Sequence, residues 1–258
     1  MSKPITTEQY SQSQQGIWST AWATVSPYIV PPIAASAAVI PVFYGFIAKS
    51  AQQAGNPIPK MGVVSVFKEG CKAAPTVGAI VGTQMVVQNI VEKALKKRSN
   101  EDNPEATNFA TMLMSAVFVG AVSAPALAVF NGQTMGKTMK ESIRSLSFKQ
   151  TCAIVTRETS FLFALRVSDP IAKEMKRICG DNQVVEYGSA FTSGAIGSVI
   201  GHPADTALTL WQKGMGVKNI SQLMKGAPIK AMTVGGFSVC YKVAKEMLEP
   251  KEVPQSQQ

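Results

Sequence analysis

Charge is scarce in this 258-residue chain, where Asp, Glu, Lys and Arg together make up 16% of the residues, against about 25% in soluble globular domains. That deficit argues against an ordinary water-soluble enzyme. Histidine is scarcer still: His202 is alone, so no second imidazole can share a metal with it, and it reads as a structural or pore-lining group. The four cysteines, Cys71, Cys152, Cys179 and Cys240, lie far apart with no C-x-x-C pair. This argues against a zinc site or a thioredoxin-like motif and leaves them as small packing residues. No Walker loop, G-x-G-x-x-G after a strand, H-E-x-x-H or G-x-S-x-G occurs, so the usual enzymatic signatures are silent and no catalytic or metal site is expected. The N-terminus carries no basic stretch followed by a compact apolar core and a small-residue cleavage site, so a cleaved secretory signal is not expected.

What the chain has instead is apolar and basic. Apolar residues reach 46%, glycine numbers 20, mean hydropathy is +0.10 and the formal charge is +9. This profile suits a membrane protein with a wet interior. A basic balance fits either nucleic acid or anionic lipid, and the placement of the bases decides between them. Lys96, Lys97 and Arg98, or Lys173, Lys176 and Arg177, sit as short groups at the ends of apolar segments. They are not interleaved with aromatics, so lipid headgroups are favoured over a nucleic acid polymer.

Charge-free stretches run from Gln9 to Ala48, from Ala106 to Gly136 and from Tyr187 to Ala204, each reaching the roughly 18 to 20 residues that cross a bilayer as a helix. The segments between them, at about 70–95, 149–178 and 226–248, are helical in pattern but carry charge. Six helices of alternating character follow. The polar ends, residues 1–19 and 249–258, read as tails without structure.

A repeat lies within this pattern. "SAAVIPVFYGFIAKS" around Pro41, "GAVSAPALAVFNGQT" around Pro125 and "GSVIGHPADTALTLWQ" around Pro203 each place small residues before a proline and apolar ones after it. The prolines are 84 and then 78 positions apart. Downstream, "VFKEG", "SFKQ" and "LMKG" each set a lysine after a bulky apolar residue, with a new helix expected to begin there. Three units of two helices result, at 20–98, 105–178 and 183–248. Proline removes a backbone donor and kinks its helix, so three kinks at one depth can draw helix ends into a closable floor. Gly194, Gly197 and Gly201, at spacings of three and four, permit close helix contact.

Three units of proline-kinked helix, loop, basic residue and second helix resemble the mitochondrial carrier family, with "HPADTALTLWQ" and "LMKGAP" the best match to its signature. The resemblance covers roughly residues 20–248. It implies an all-α membrane protein whose three pseudo-repeats form a six-helix barrel around a central cavity, monomeric and multi-pass in the mitochondrial inner membrane. Both termini would face the intermembrane space, and the loops near 51–66, 135–147 and 213–222 the matrix. A bacterial source would imply delivery to a host's mitochondria. Lys68, Lys149, Lys225 and Gly226 would bind cardiolipin phosphates, helped by helix N-termini, with no cofactor beyond that lipid. Gln150 stands where the pattern has glycine, and Glu69 intrudes before Gly70.

The implied activity is transport of a small anionic or zwitterionic metabolite by alternating access, the substrate being an amino acid or carboxylate, or a nucleotide such as ATP. Charges within membrane helices are costly and therefore point to function. Arg157 and Glu158, early in the fourth helix, map to the family's substrate contact point, where the guanidinium could grip a carboxylate while the acid accepts from an ammonium. Thr76 with Val77 and Thr233 with Val234 occupy the corresponding positions, and Lys72, Arg166 and Lys230 could draw phosphates. The family closes its matrix side with an acid two residues after each proline and a base five residues after it. Here those positions hold Phe43, Leu127 and Asp205, then Phe46, Phe130 and Leu208. The expected gate, comprising Pro41, Pro125, Pro203, these six residues and Gln212, is therefore an apolar plug in which Asp205 faces Phe46 instead of a base, so that the acid must stay hydrated as a substrate-linked site, find another cation or take up a proton. The alternative of another class is a carrier-like membrane adaptor or receptor that no longer transports.

Overall fold

The structure, a computed structural model, describes residues 7–96, 104–180 and 182–249. Helices α1 (Thr7–Gln53), α2 (Val63–Lys96), α3 (Pro104–Gln133), α4 (Met139–Arg144), α5 (Phe148–Cys179), α6 (Gln183–Ile200), α7 (His202–Gln212), α8 (Ile220–Leu223) and α9 (Ala227–Leu248) account for nearly all of them. No strand occurs among the described residues. The fold is all-helical, and two of its helical stretches, Val25–Gln53 and Leu113–Gln133, are long and apolar enough to cross a membrane, at mean hydropathies of 1.8 and 2.1.

The long helices meet in a closed circuit. α1 packs on α2, α2 on α3, α3 on α5, α5 on α6 and α6 on α9, which returns to α1. Helix α7 touches α5, α1 and α3, so it crosses beneath the circuit at one end. Polarity across α3 is inverted relative to a soluble helix. Met114, Val117, Phe118 and Val122 stand exposed at three- and four-residue spacing, while Ala116, Ser123, Ala124 and Ala128 are buried. Large apolar side chains outside and small ones within suit helices that pack closely in a nonpolar solvent.

The prolines act in two ways. Pro41 and Pro125 lie inside α1 and α3. Around Pro203 the helix breaks: Gly201 caps both α6 and α7, and Pro203 sits in the first turn of the new helix. Proline is favoured there because the first N–H groups of a helix have no partner to lose. The N-terminal tail also departs from expectation, since α1 begins at Thr7. Glu8 and the run of glutamines have ample helix propensity, and polarity alone does not prevent a helix. Residues 250–258 of the other tail lie outside the described residues.

Glycine sets the closest helix approach. A Cβ at Gly70 would stand 2.7 Å from the Ile40 carbonyl oxygen and 2.9 Å from its Cα. Backbone cannot yield as a flexible side chain can. Gly70→Ala should therefore cost about 1–3 kcal/mol through overpacking and lower the melting temperature of the purified protein. Gly62→Ala, which meets nothing within 4 Å, should leave it unchanged.

Two apolar clusters form the core. One joins Leu127, Ala128, Ile154 and Leu208, and the other joins Val39, Phe43, Ala73 and Val77. Phe130 packs against both. Three of the four cysteines, expected to be packing residues, are exposed; only Cys240 is partly covered. A helix face accepts an exposed thiol as a small, weakly polar group, so interior packing is not needed to explain them.

Candidate functional site

Asp205 is the centre of the site. It lies in the first turn of α7, 2% exposed, and its carboxylate takes three cations from three other helices. Lys49 Nζ of α1 lies 2.8 Å from Oδ2, Lys230 Nζ of α9 lies 3.3 Å from Oδ2, and Arg157 of α5 donates to Oδ1 at 3.1 Å. The Gln53 amide adds a long contact at 3.4 Å and donates to Thr206 Oγ1 at 2.8 Å. Lys49 and Gln53 are four residues apart, hence on one face of α1.

Arg157 joins this hub to Glu158. Its Nε donates to Glu158 Oε1 at 3.0 Å and its Nη2 lies 2.9 Å from the same oxygen. The other oxygen, Oε2, accepts from the Gln84 amide of α2 at 3.0 Å. Five buried or nearly buried charged side chains are thus drawn together from α1, α5, α7 and α9. Leaving any one of them unpaired at such depth would cost several kcal/mol.

A polar belt continues along α7. The Asn131 amide of α3 donates to Gln212 Oε1 at 2.7 Å, and the Gln212 amide donates to the Ala128 carbonyl at 3.1 Å. Ser50 and Thr134 share a hydrogen bond of 2.6 Å between α1 and α3. Lys137 donates to the Gln212 carbonyl from the linker beyond α3. Beside this belt the aromatic rings close up: Phe46 and Phe130 meet edge to face at a centroid distance of 5.3 Å, and Phe43 and Phe130 at 6.2 Å.

The structure therefore brings together Arg157, Glu158, Lys230 and Asp205, and separately packs Phe43, Phe46, Leu127, Phe130 and Leu208 into the two clusters that share Phe130. Of the states open to Asp205, the structure shows the one with another cation. Asp205 does not lack a cation, because Lys49, three residues beyond Phe46, reaches it. Position 46 holds no base, but a lysine one turn further along the same helix has the length to arrive at the same place.

Other residues fall elsewhere. Thr76 and Thr233 are buried, but the Thr233 hydroxyl donates to the Ile229 carbonyl at 2.6 Å and its side chain fills the notch opposite Gly45, so it seals the contact between α1 and α9. Lys72 is exposed and paired with Glu69 at 2.6 Å. The side chain of Arg166 lies outside the described ones. Pro41 and Pro125 are exposed and Pro203 is partly covered.

Lys68, Lys149 and Lys225 are all exposed, as a lipid contact requires, but they are not equivalent. Lys149 opens α5 and Lys225 precedes the Gly226 cap of α9, whereas Lys68 lies inside α2, which already begins at Val63. The apolar Val63–Phe67 run contains no breaker and simply continues the helix. Gly226 needs its glycine: it has φ of 83° and sits against the Lys49 carbonyl. Gln150, out of pattern as a lipid ligand, has a local reason, since it completes a capping box with Ser147 at the start of α5. His202 is fully buried at the α6–α7 break, bonded through Nε2 to the Lys225 carbonyl at 2.9 Å, which ties that break to the entry of α9.

Lys49, Gln53 and Gln84 escaped the sequence reading. Lys49 did leave a signal, as the first charge after the uncharged run that begins at Gln9, with a glutamine one turn beyond it. In comparison with known proteins, no family model and no curated protein sequence matches the chain.

Proposed function

We propose that this chain is a membrane transporter of the mitochondrial carrier type, moving a small anionic or zwitterionic metabolite across the inner mitochondrial membrane by alternating access. The observation that carries the reading is the buried hub, in which Arg157, Lys49 and Lys230 surround Asp205 inside a closed circuit of helices. A protein that needed only stability would do as well or better with apolar side chains of similar volume there. Ionisable groups retained at such depth, facing the interior of a helix bundle, are the mark of a substrate path. The three proline-centred units, the break at Pro203 and the circuit of helix contacts support a six-helix barrel, with the aromatic plug around Phe130 and the polar belt along α7 as its closed matrix end.

Arg157 is the leading substrate contact. It serves Glu158 and Asp205 at once through different nitrogens, a fork that a lysine cannot reproduce. Purified protein in liposomes should show saturable uptake of small carboxylates or phosphates. Arg157→Lys, which keeps the charge, should cut the initial rate about tenfold or more while the protein still elutes as folded. Folded protein with no uptake of any anion or amino acid would favour the adaptor reading instead.

A further inference from the structure

A second group of cations stands apart from the hub, at the other end of α7. Asp205 lies in the first turn of that helix and Gln212 is its last residue, about 10 Å further along the axis. Beside Gln212 opens a cavity of about 550 Å³, lined by Gly136, Lys137, Glu141, Arg144 and Ser145. Its volume is that of a small-molecule pocket, and it shares no residue with the hub. Local signals build its walls. Gly136, at φ 76°, reverses the backbone after α3, and a Cβ on it would meet nothing within 4 Å. Ser142 of α4 is fully buried against Gly132, where a Cβ would stand 2.0 Å from the serine hydroxyl oxygen. That contact seats α4 on the end of α3, so Lys137 and Arg144 are presented from two packed elements.

The cations here are poorly matched by acids. Lys137 is half-buried and donates to the Gln212 carbonyl, which leaves two of its three ammonium donors. Lys213, the next residue after Gln212, is half-buried as well, and its ammonium is held below the usual lysine range first by burial and then by Lys137. Arg144 is exposed. The acid placed to pair with it is Glu141, three residues earlier on α4, but Glu141 turns back to the helix start, where its Oε2 accepts from the Thr138 N–H and hydroxyl at 2.8 Å each. Among the described residues no carboxylate forms an ion pair with Lys137, Arg144 or Lys213. Three cations against one acid leave an excess of two positive charges around the cavity.

We propose that this cavity binds a phosphate-bearing anion, with the Arg144 guanidinium gripping the phosphate as a fork and Lys137 and Lys213 supplying point charges behind it. A planar fork matches phosphate oxygens, and a lysine serves phosphate as a compact charge. Two half-buried ammonium groups side by side lose hydration without a counter-charge, and an anion between them and Arg144 restores one. The cavity is larger than a single phosphate requires, so it has room for part of the body that carries it. Soluble phosphates and lipid headgroups offer the same chemistry. The site lies outside the hub and does not rest on the transport reading.

The test follows the melting temperature of the purified full chain in neutral detergent, with inorganic pyrophosphate as the soluble probe and sodium chloride at matched ionic strength as control. Pyrophosphate should raise the melting temperature, and Arg144→Gln should weaken its apparent affinity about tenfold. Because Arg144 is exposed, the variant keeps the fold. Arg177→Gln removes another exposed arginine, on α5, and should leave the response intact. The hub also carries cations, so the variants decide: a response equal in Arg144→Gln and the unaltered chain, or reduced as much by Arg177→Gln, overturns the proposal. The second arm mixes phosphatidylglycerol into the micelles, against phosphatidylcholine. An Arg144-dependent rise with pyrophosphate assigns the site to soluble phosphates, and one with phosphatidylglycerol alone assigns it to a lipid headgroup. No Arg144-dependent rise with either overturns it. Neither arm measures uptake, so the outcome is separate from that of the transport test.

Discussion

Asp205→Leu is expected to lose about 3–5 kcal/mol of stability, because it leaves Lys49 and Lys230 buried without their counter-charge and Arg157 with Glu158 alone. Native domains have about 5–15 kcal/mol in total, so much of the margin would go. The melting temperature in detergent should fall by about 10 °C or more. The origin of the loss can be separated from simple loss of packing. Asp205 is 2% exposed and Lys49 3% exposed, so Asp205→Leu with Lys49→Met replaces a broken pair by two apolar side chains of similar length. That double variant should recover part of the loss, and adding Lys230→Met should recover more. Leucine at 205 with no fall in melting temperature would show that the ion pairs do not hold the fold. On the proposed transport reading, recovery of stability need not bring uptake with it, since the triple variant has lost two of the three cations of the hub. Stability and transport should part company there.

How much of this was legible in the residues can be judged element by element. The helices were readable because their cause is local: charge-free runs around Pro41 and Pro125 and the charged segments mark long helices that appear as such, whereas the run around Pro203 is divided between α6 and α7. Arg157, Glu158 and Lys230 were legible for a different reason, that a charge inside an apolar helix needs an explanation. The pairing was not legible. Whether Asp205 meets residue 46 or residue 49 depends on how α7 crosses α1, a rotation that no spacing within either helix encodes. A lysine side chain spans more than one helical turn, so its charge can act a turn away from its place in the sequence. Likewise, the break at Gly201 and the early start of α2 at Val63 turn on whether a glycine or an apolar run ends a helix, and tertiary packing decides that. The repeat pattern assigns Thr233 to a position corresponding to the substrate contact of Arg157 and Glu158. Gly45 across the interface gave it a notch to fill instead.

The same geometry reverses what a charge at position 46 should do. If Asp205 lacked a partner, Phe46→Lys would supply one and strengthen the closed end. With Lys49, Arg157 and Lys230 already on that carboxylate, the new lysine is a fourth cation beside a hub that has an excess of positive charge. It also removes the ring that meets Phe130 at 5.3 Å and packs in the cluster of Val39, Phe43 and Val77. Aromatic contact and apolar burial are lost together, and an ammonium must be desolvated or must pull water into the plug. The expected cost is about 3–5 kcal/mol, with a leaky closed end in whatever folded fraction survives. Phe46→Leu separates the two contributions: it keeps the site apolar and should cost about 1–1.5 kcal/mol. Melting curves for the three proteins, with leak of a small anion from preloaded liposomes, give both readouts. A Phe46→Lys protein that melts higher and leaks less than the unaltered chain would mean that Asp205 has room for another cation, and that the hub drawn around Lys49 is not its resting arrangement.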